Sequence, residues 1–256
     1  MGRRGPILGS ARMLFRQLAP TLGITVKLAA LIAAAALAGC VSAPPRGAET
    51  PLRGEALEAR IEALMAREQV VGMAVAVVER GEITHLGAYG YRNRENALPL
   101  ETDTILYGAS LTKAAFAYML LQLVDEGRLD LDRPIGEYLA RPLPELEDYT
   151  DLAGDERWRL LTPRILLLHT SGLANMRWLE NDRRLRFHFT PGAHYAYSNE
   201  GIWILQIVLE QGLLLDVGAE MQRRVFDRFG MTRTAMQWRA DFSGNLADGY
   251  AMDGTF

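Results

Sequence analysis

The spacing of apolar positions changes several times along this 256-residue chain. A continuous apolar run from Leu28 to Gly39 comes first, and a stretch rich in proline and glycine follows it. Leu57, Ile61, Leu64 and Met65 then recur at helical spacing. Val70 to Val78 and Ile83 to Tyr91, on either side of Arg80-Gly81, predict a β-hairpin, and Thr104 to Tyr107 a short third strand. From Ser110 onward the pattern is mostly helical. Leu111 to Glu126 is closed by Gly127, and Thr162-Pro163 reads as cap and first turn of a helix ending near Gly172. Ser198 caps a helix over Asn199 to Glu210, and a last one runs from about Gly218 to Phe229, closed by Gly230. No internal repeat is visible. A two-stranded hairpin is marginal in water, and no strand follows residue 110 to pair with it. Either another chain completes the sheet, or further strands of this domain belong at the C-terminal end.

Residues 1–39 contain Arg3, Arg4, Arg12, Arg16 and Lys27 and no acidic side chain. Their apolar run is too short to span a bilayer, is preceded by positive charge and ends in small residues, as a secretory signal segment does. Leu37-Ala38-Gly39-Cys40 resembles the lipobox of bacterial lipoproteins, which implies lipidation of Cys40 as the mature N-terminus. Ser42 in the second mature position resembles lipoproteins sorted to the outer membrane. The expected location is therefore the bacterial cell envelope, facing the periplasm; the alternative is a chance cysteine in a plain signal peptide and a soluble periplasmic or secreted product. Met13 is an alternative start. Residues 40–54, with Pro44, Pro45, Gly47, Pro51 and Gly54, have the composition of an anchored linker, leaving 55–256 as the folded domain.

Composition narrows the chemistry. With 49% apolar and 23% charged residues the chain can bury a core, and a single cysteine excludes a disulfide framework or a Cys-rich metal centre. From Cys40 onward, 31 acidic side chains face 23 basic ones, a net charge of −8 that argues against nucleic acid as partner. Membrane attachment is left to the lipid on Cys40. His85, His188 and His194 are isolated, so no metal or other cofactor is implied. No protein partner is implied either.

The lysine count is more informative. Only Lys27 and Lys113 are lysines, against 26 arginines, and Lys113 stands three residues after Ser110. At a helix start these positions share one face, so the amine can reach the hydroxyl. Arginine stays protonated in proteins, whereas lysine can exchange a proton with serine. Five serines lie beyond Cys40, so chance places the one remaining lysine at this spacing in about 2% of cases. The other reading is an exposed lysine on a helix that Ser110 merely caps; the apolar run Ala114, Ala115, Phe116, Met119 and Leu120 argues for a buried helix instead. Backbone N–H groups near a helix start also favour negative charge on an acyl oxygen, which suits acyl transfer. Tyr197-Ser198-Asn199, after the turn-forming Pro191-Gly192, offers a tyrosine able to shuttle a proton and an amide able to bond Lys113 or a substrate; taken alone, the triplet also reads as a turn with a helix cap.

Taken in order, Thr104 to Lys113, Leu123-Val124-Asp125-Glu126-Gly127-Arg128-Leu129-Asp130, Leu167-Leu168-His169-Thr170-Ser171-Gly172-Leu173 and Tyr197-Ser198-Asn199 resemble the β-lactamase-related serine hydrolases. That family includes class C β-lactamases, D-alanyl-D-alanine carboxypeptidases and β-lactamase-like esterases. The resemblance implies Ser110 as nucleophile, Lys113 as its activating partner, Tyr197 as proton shuttle and Asn199 as substrate and lysine ligand. It implies an α/β (α+β) fold: an antiparallel sheet flanked by helices, plus an all-helical subdomain, with the site between them. The substrate implied is a β-lactam, a D-Ala-D-Ala peptide or an ester, taken as a small molecule or peptidoglycan-like fragment. The family's third motif, K-T-G or H-x-G on a later strand, does not follow Asn199, so the domain is expected to lack its C-terminal strands. The alternative is thus an inactive envelope lipoprotein that at most binds peptidoglycan-like ligands. An α/β-hydrolase elbow fits less well, because Gly108-x-Ser110-x-Thr112 has no second glycine. His169 to Gly172 reads as structural, with Gly172 as a helix cap. Arg183-Arg184 and Arg223-Arg224 read as solvated faces, and Trp178, Tyr195 and Trp203 as either cleft or core residues.

Overall fold

The computed structural model describes residues 51–251. The signal segment, Cys40 and residues 41–50 of the linker lie outside the described residues, and 51–53 have no regular structure. Helix α1 covers Glu55–Arg67, with Ile61 and Met65 buried. Strands β1 (Gly72–Glu79) and β2 (Glu82–Asn93) then pair antiparallel, Met73 opposite Tyr89 and Val75 opposite Gly87. Arg80 and Gly81 both have positive φ, the two-residue turn whose twist matches a hairpin. Burial alternates along β1, but Ala74, Ala76 and Val78 on its solvent side are also apolar, and Ile83 and Leu86 of β2 are exposed too.

The third strand is not where the apolar pattern placed it. It is the pair Leu98–Pro99, β3, antiparallel to β2. Ile105 instead makes one parallel bridge with Leu246, through Ile105 N–H to the Asn245 carbonyl (2.8 Å) and Ala247 N–H to the Ile105 carbonyl (2.9 Å). Four residues of Thr104 to Tyr107 can form a strand only with a partner, and among the described residues only 245–247 comes alongside.

The core lies among the helices. Helix α2 (Thr112–Asp125) buries Phe116, Met119, Leu120 and Leu123; Ala114, expected inside, is exposed. Gly127, φ +68, ends it as predicted. Against these residues pack Ile204, Leu205, Val208 and Leu209 of the segment begun by α4 (Asn199–Ile207), and Met221, Val225 and Phe226 of the segment begun by α5 (Val217–Met221). Both helices continue as wider turns, over Val208–Gly212 and Gln222–Phe226, so their regular parts are shorter than the periodicity suggests. Ser198 and Asp216 cap them, their side chains accepting from Gly201 and Ala219 N–H. No single helix among the described residues is long and apolar enough to cross a membrane.

Helix α3 departs most from its predicted extent. Thr162 caps it as expected, but it covers only Pro163–Leu167 and stops well before Gly172. His169, φ +55, is the left-handed residue that ends it. Its N–H bonds the Leu166 carbonyl at 3.2 Å and that of Thr170 bonds the Ile165 carbonyl at 3.0 Å, the paired bonds of a Schellman cap. Gly172 has another task. Its φ is +79, and a Cβ there would stand 2.3 Å from the Phe189 carbonyl oxygen, so glycine lets the chain run close against residues 187–189. Arg224 also departs from expectation: rather than facing water it is buried, held by Glu126 and Glu220.

Candidate active site

Ser110 sits in a single tight turn, Ala109 to Leu111, that leads into α2. Ala109 immediately before it has φ +41, a conformation that side chains with a Cβ rarely adopt. Such strain persists only where the surroundings enforce it, and it concentrates at functional positions. The Lys113 ammonium donates to Ser110 Oγ at 3.1 Å, as the three-residue spacing predicts. From the other side, Ser110 Oγ and Tyr197 Oη lie 2.8 Å apart. Lys113 Nζ stands 5.2 Å from the centre of the Tyr197 ring. Three candidate catalytic side chains, from α2, the turn before it and the loop before α4, therefore meet at one oxygen.

This arrangement tunes the phenol. The nearby Lys113 ammonium, and next the hydrogen bond with Ser110, hold Tyr197 below the ordinary tyrosine value against the smaller effect of burial. A phenol biased toward phenolate is a better proton acceptor at neutral pH.

Asn199 is bonded to Asn175 and not to Lys113. Its Nδ2 donates to Asn175 Oδ1 at 2.8 Å, and its backbone N–H to the Asn175 carbonyl at 2.9 Å. Beside it, buried Glu200 is paired with Arg177 through both carboxylate oxygens (2.9 and 2.7 Å). Trp178 and Trp203, left open as cleft or core, stack on each other at 5.5 Å and both reach solvent, as does Tyr195.

Two residues at the site went unrecognised in the sequence. His169, read as structural, stacks its ring 4.4 Å from that of Tyr197 and accepts the Ser198 N–H on Nδ1 at 3.2 Å. Burial, reinforced by the Lys113 charge, pushes its imidazole below the ordinary histidine value. Asn175, the partner of Asn199, stands six residues further along the same stretch and carries no spacing signal of its own. A cavity of about 420 Å³ opens beside the Ser110 turn, lined by residues that include Gly108, Leu111, Thr112 and Phe226. Ser110, Lys113 and Tyr197 are not among the residues that line it. Among the described residues no cluster of His, Cys, Asp or Glu has the arrangement of a metal site.

Among curated relatives, the chain is 31% identical over 212 residues to the esterase EstB of Burkholderia gladioli, covering 70% of this chain and 52% of that protein. It is 27% identical to a D-aminopeptidase of Gluconobacter oxydans (70% and 35%) and 26% identical to a beta-lactamase of Providencia stuartii (74% and 49%). The chain thus spans about half or less of the length of these relatives. Among solved structures, the D-alanine carboxypeptidase AmpC of Burkholderia cenocepacia superposes with a TM-score of 0.64 at 28% identity, over 78% of this chain and 54% of that one. A class C beta lactamase from Rhodobacter sphaeroides shares the fold, with a TM-score of 0.61 at 23% identity over 78% and 56%. The mixed fold read from the sequence is therefore the β-lactamase/transpeptidase-like one. The Beta-lactamase family model matches residues 57–255, which takes in the Ser110 turn, the His169 to Asn175 stretch and the Tyr197 loop, and the chain belongs to that family.

Proposed function

We propose that this chain carries the nucleophile of a serine acyl hydrolase working through a covalent acyl-enzyme. The observation that carries the reading is the placing of Ser110 Oγ between Lys113 Nζ and Tyr197 Oη. Lys113 donates to the serine oxygen, so the proton of that oxygen is aimed at Tyr197. As Oγ attacks the acyl carbon, its proton passes to the Tyr197 phenolate, the form that the Lys113 charge favours, and Tyr197 becomes a neutral phenol. Tyr197 then returns the proton to the leaving group as the acyl–heteroatom bond breaks. In the second half, water gives a proton to the Tyr197 phenolate as its oxygen attacks the acyl carbon, and Tyr197 passes that proton to Ser110 Oγ as the acyl–Oγ bond breaks, which restores the serine.

The substrate class is an acyl compound: an ester, a D-amino-acid peptide or a β-lactam, the chemistries named in the relatives. Residues 1–39 and Cys40 support export and lipidation, which would hold the domain at the cell envelope.

The test is covalent labelling of the 256-residue chain with a fluorophosphonate and a fluorescent penicillin, read as intact mass for wild type and Ser110→Ala. One adduct on wild type and none on the variant is the expected result. No adduct on native wild type would leave ligand binding without turnover as the remaining reading. Hydrolysis of nitrocefin, short-chain esters and D-Ala-D-Ala peptides then separates the substrates.

A further inference from the structure

We infer that His169 is a positioning residue for Tyr197, a role that rests on the acyl-transfer reading above. The residue occupies the left-handed position of a Schellman cap, where glycine is the usual occupant because it carries no Cβ. Here the position carries a large side chain, and two polar groups of that residue engage the loop. Its carbonyl accepts the Ala196 N–H at 2.8 Å, and its Nδ1 accepts the Ser198 N–H at 3.2 Å. These are the N–H groups on either side of Tyr197. Its ring meanwhile packs on the Tyr197 ring at 4.4 Å, inclined by 35°.

One residue therefore holds the loop on both flanks of the phenol and supports the phenol itself. Tyr197 must place its Oη on Ser110 Oγ with hydrogen-bond accuracy, and its loop has no regular structure of its own to do this. A flexible tyrosine in a free loop would sample other rotamers; the stacked imidazole removes them. Misplacement by about 1 Å is enough to cost roughly 100-fold in rate.

The bond to Ser198 requires an unprotonated Nδ1, hence a neutral ring carrying its proton on Nε2. The groups facing this ring are the Lys113 ammonium from α2 and the Tyr197 and Tyr195 rings from the loop. Protonation would turn the acceptor into a donor aimed at an N–H group, next to the Lys113 charge. The clamp should open in acid.

Two variants separate ring from backbone. His169→Gly suits the left-handed backbone but has neither acceptor nor ring, whereas His169→Asn tolerates that backbone and offers Oδ1 in place of Nδ1. Fluorophosphonate acylation of Ser110 is expected to fall about 10- to 100-fold in His169→Gly and to recover severalfold in His169→Asn, with thermal unfolding showing both folded. The wild-type rate should fall in acid with a midpoint below the ordinary histidine value, and that limb should vanish in His169→Asn. Acylation of His169→Gly at the wild-type rate overturns the inference. If wild type is not acylated at all, the acyl-transfer reading fails and the NMR titration of Tyr197, assigned with Tyr197→Phe, decides separately. Its midpoint should rise in His169→Gly as the phenol leaves Lys113 and Ser110, and an unmoved midpoint overturns the positioning role.

Discussion

Tyr197 Oη lies 2.8 Å from Ser110 Oγ although 87 positions separate the two residues. Removing that one oxygen in Tyr197→Phe keeps the ring on His169 while deleting the proton acceptor. Acylation of Ser110 should fall about 100- to 10,000-fold, with stability within about 0.5 kcal/mol of wild type, as measured by intact-mass time courses and urea unfolding. A loss of less than tenfold would assign the proton to another group.

Lys113 acts on both oxygens, so its replacement should be read in two ways. Lys113→Met should abolish labelling within the detection of the assay and let the Tyr197 titration rise toward its ordinary value, because the Lys113 ammonium is the largest cause of its depression. Lys113→Arg keeps a charge but presents a planar fork in place of a compact ammonium, and about a 100-fold loss is expected. Wild-type rates in Lys113→Arg would show that only charge is needed.

Stability should depend on pH through His169. Its folded value lies below the ordinary one, chiefly through burial, so between the two the unfolded chain binds more protons. Stability is thus fully present above the ordinary histidine value and falls as the pH drops toward the folded one. Urea midpoints at pH 7 and pH 5 should differ less in His169→Asn than in wild type; an identical pH response in both would contradict the assignment.

Glu200 is fully buried one residue after Asn199 and is held by Arg177. Arg177→Met strands that carboxylate and should cost about 3–5 kcal/mol, whereas Arg177→Met combined with Glu200→Gln should recover part of it. Denaturant unfolding of both variants, with the single Glu200→Gln, closes the cycle. A loss below about 1 kcal/mol for Arg177→Met would mean that water reaches the site.

Leu120 has no exposed surface at the centre of α2. Leu120→Ala should destabilise the domain by about 2–5 kcal/mol, and because α2 carries Lys113 the labelling rate should fall with the folded fraction, not beyond it. Comparing the two at several urea concentrations checks this.

Much of this molecule was legible in the sequence, where the signal was local. The hairpin follows from alternation around Arg80-Gly81, the caps at Thr162 and Ser198 from side chains that reach backbone N–H groups three residues on, and the Ser110–Lys113 contact from helical geometry. Each involves neighbours whose distance is set by covalent geometry and one turn of helix. The third strand at Leu98–Pro99 and the lone bridge of Ile105 were not legible, because strand pairing depends on which distant segment arrives alongside.

The site divides along the same line. The sequence alone determined that Ser110 and Lys113 share a helix start, that Tyr197 precedes a capped helix, and that lysine is too scarce here for their spacing to be casual. Only the tertiary structure decided that Tyr197 reaches Ser110, that Asn199 bonds Asn175, and that a left-handed histidine stands under the phenol. Those contacts join segments 24 to 87 positions apart, and no local propensity specifies them. They form when the helical core closes around Leu120, Leu166 and Ile204 and leaves each segment one place to lie.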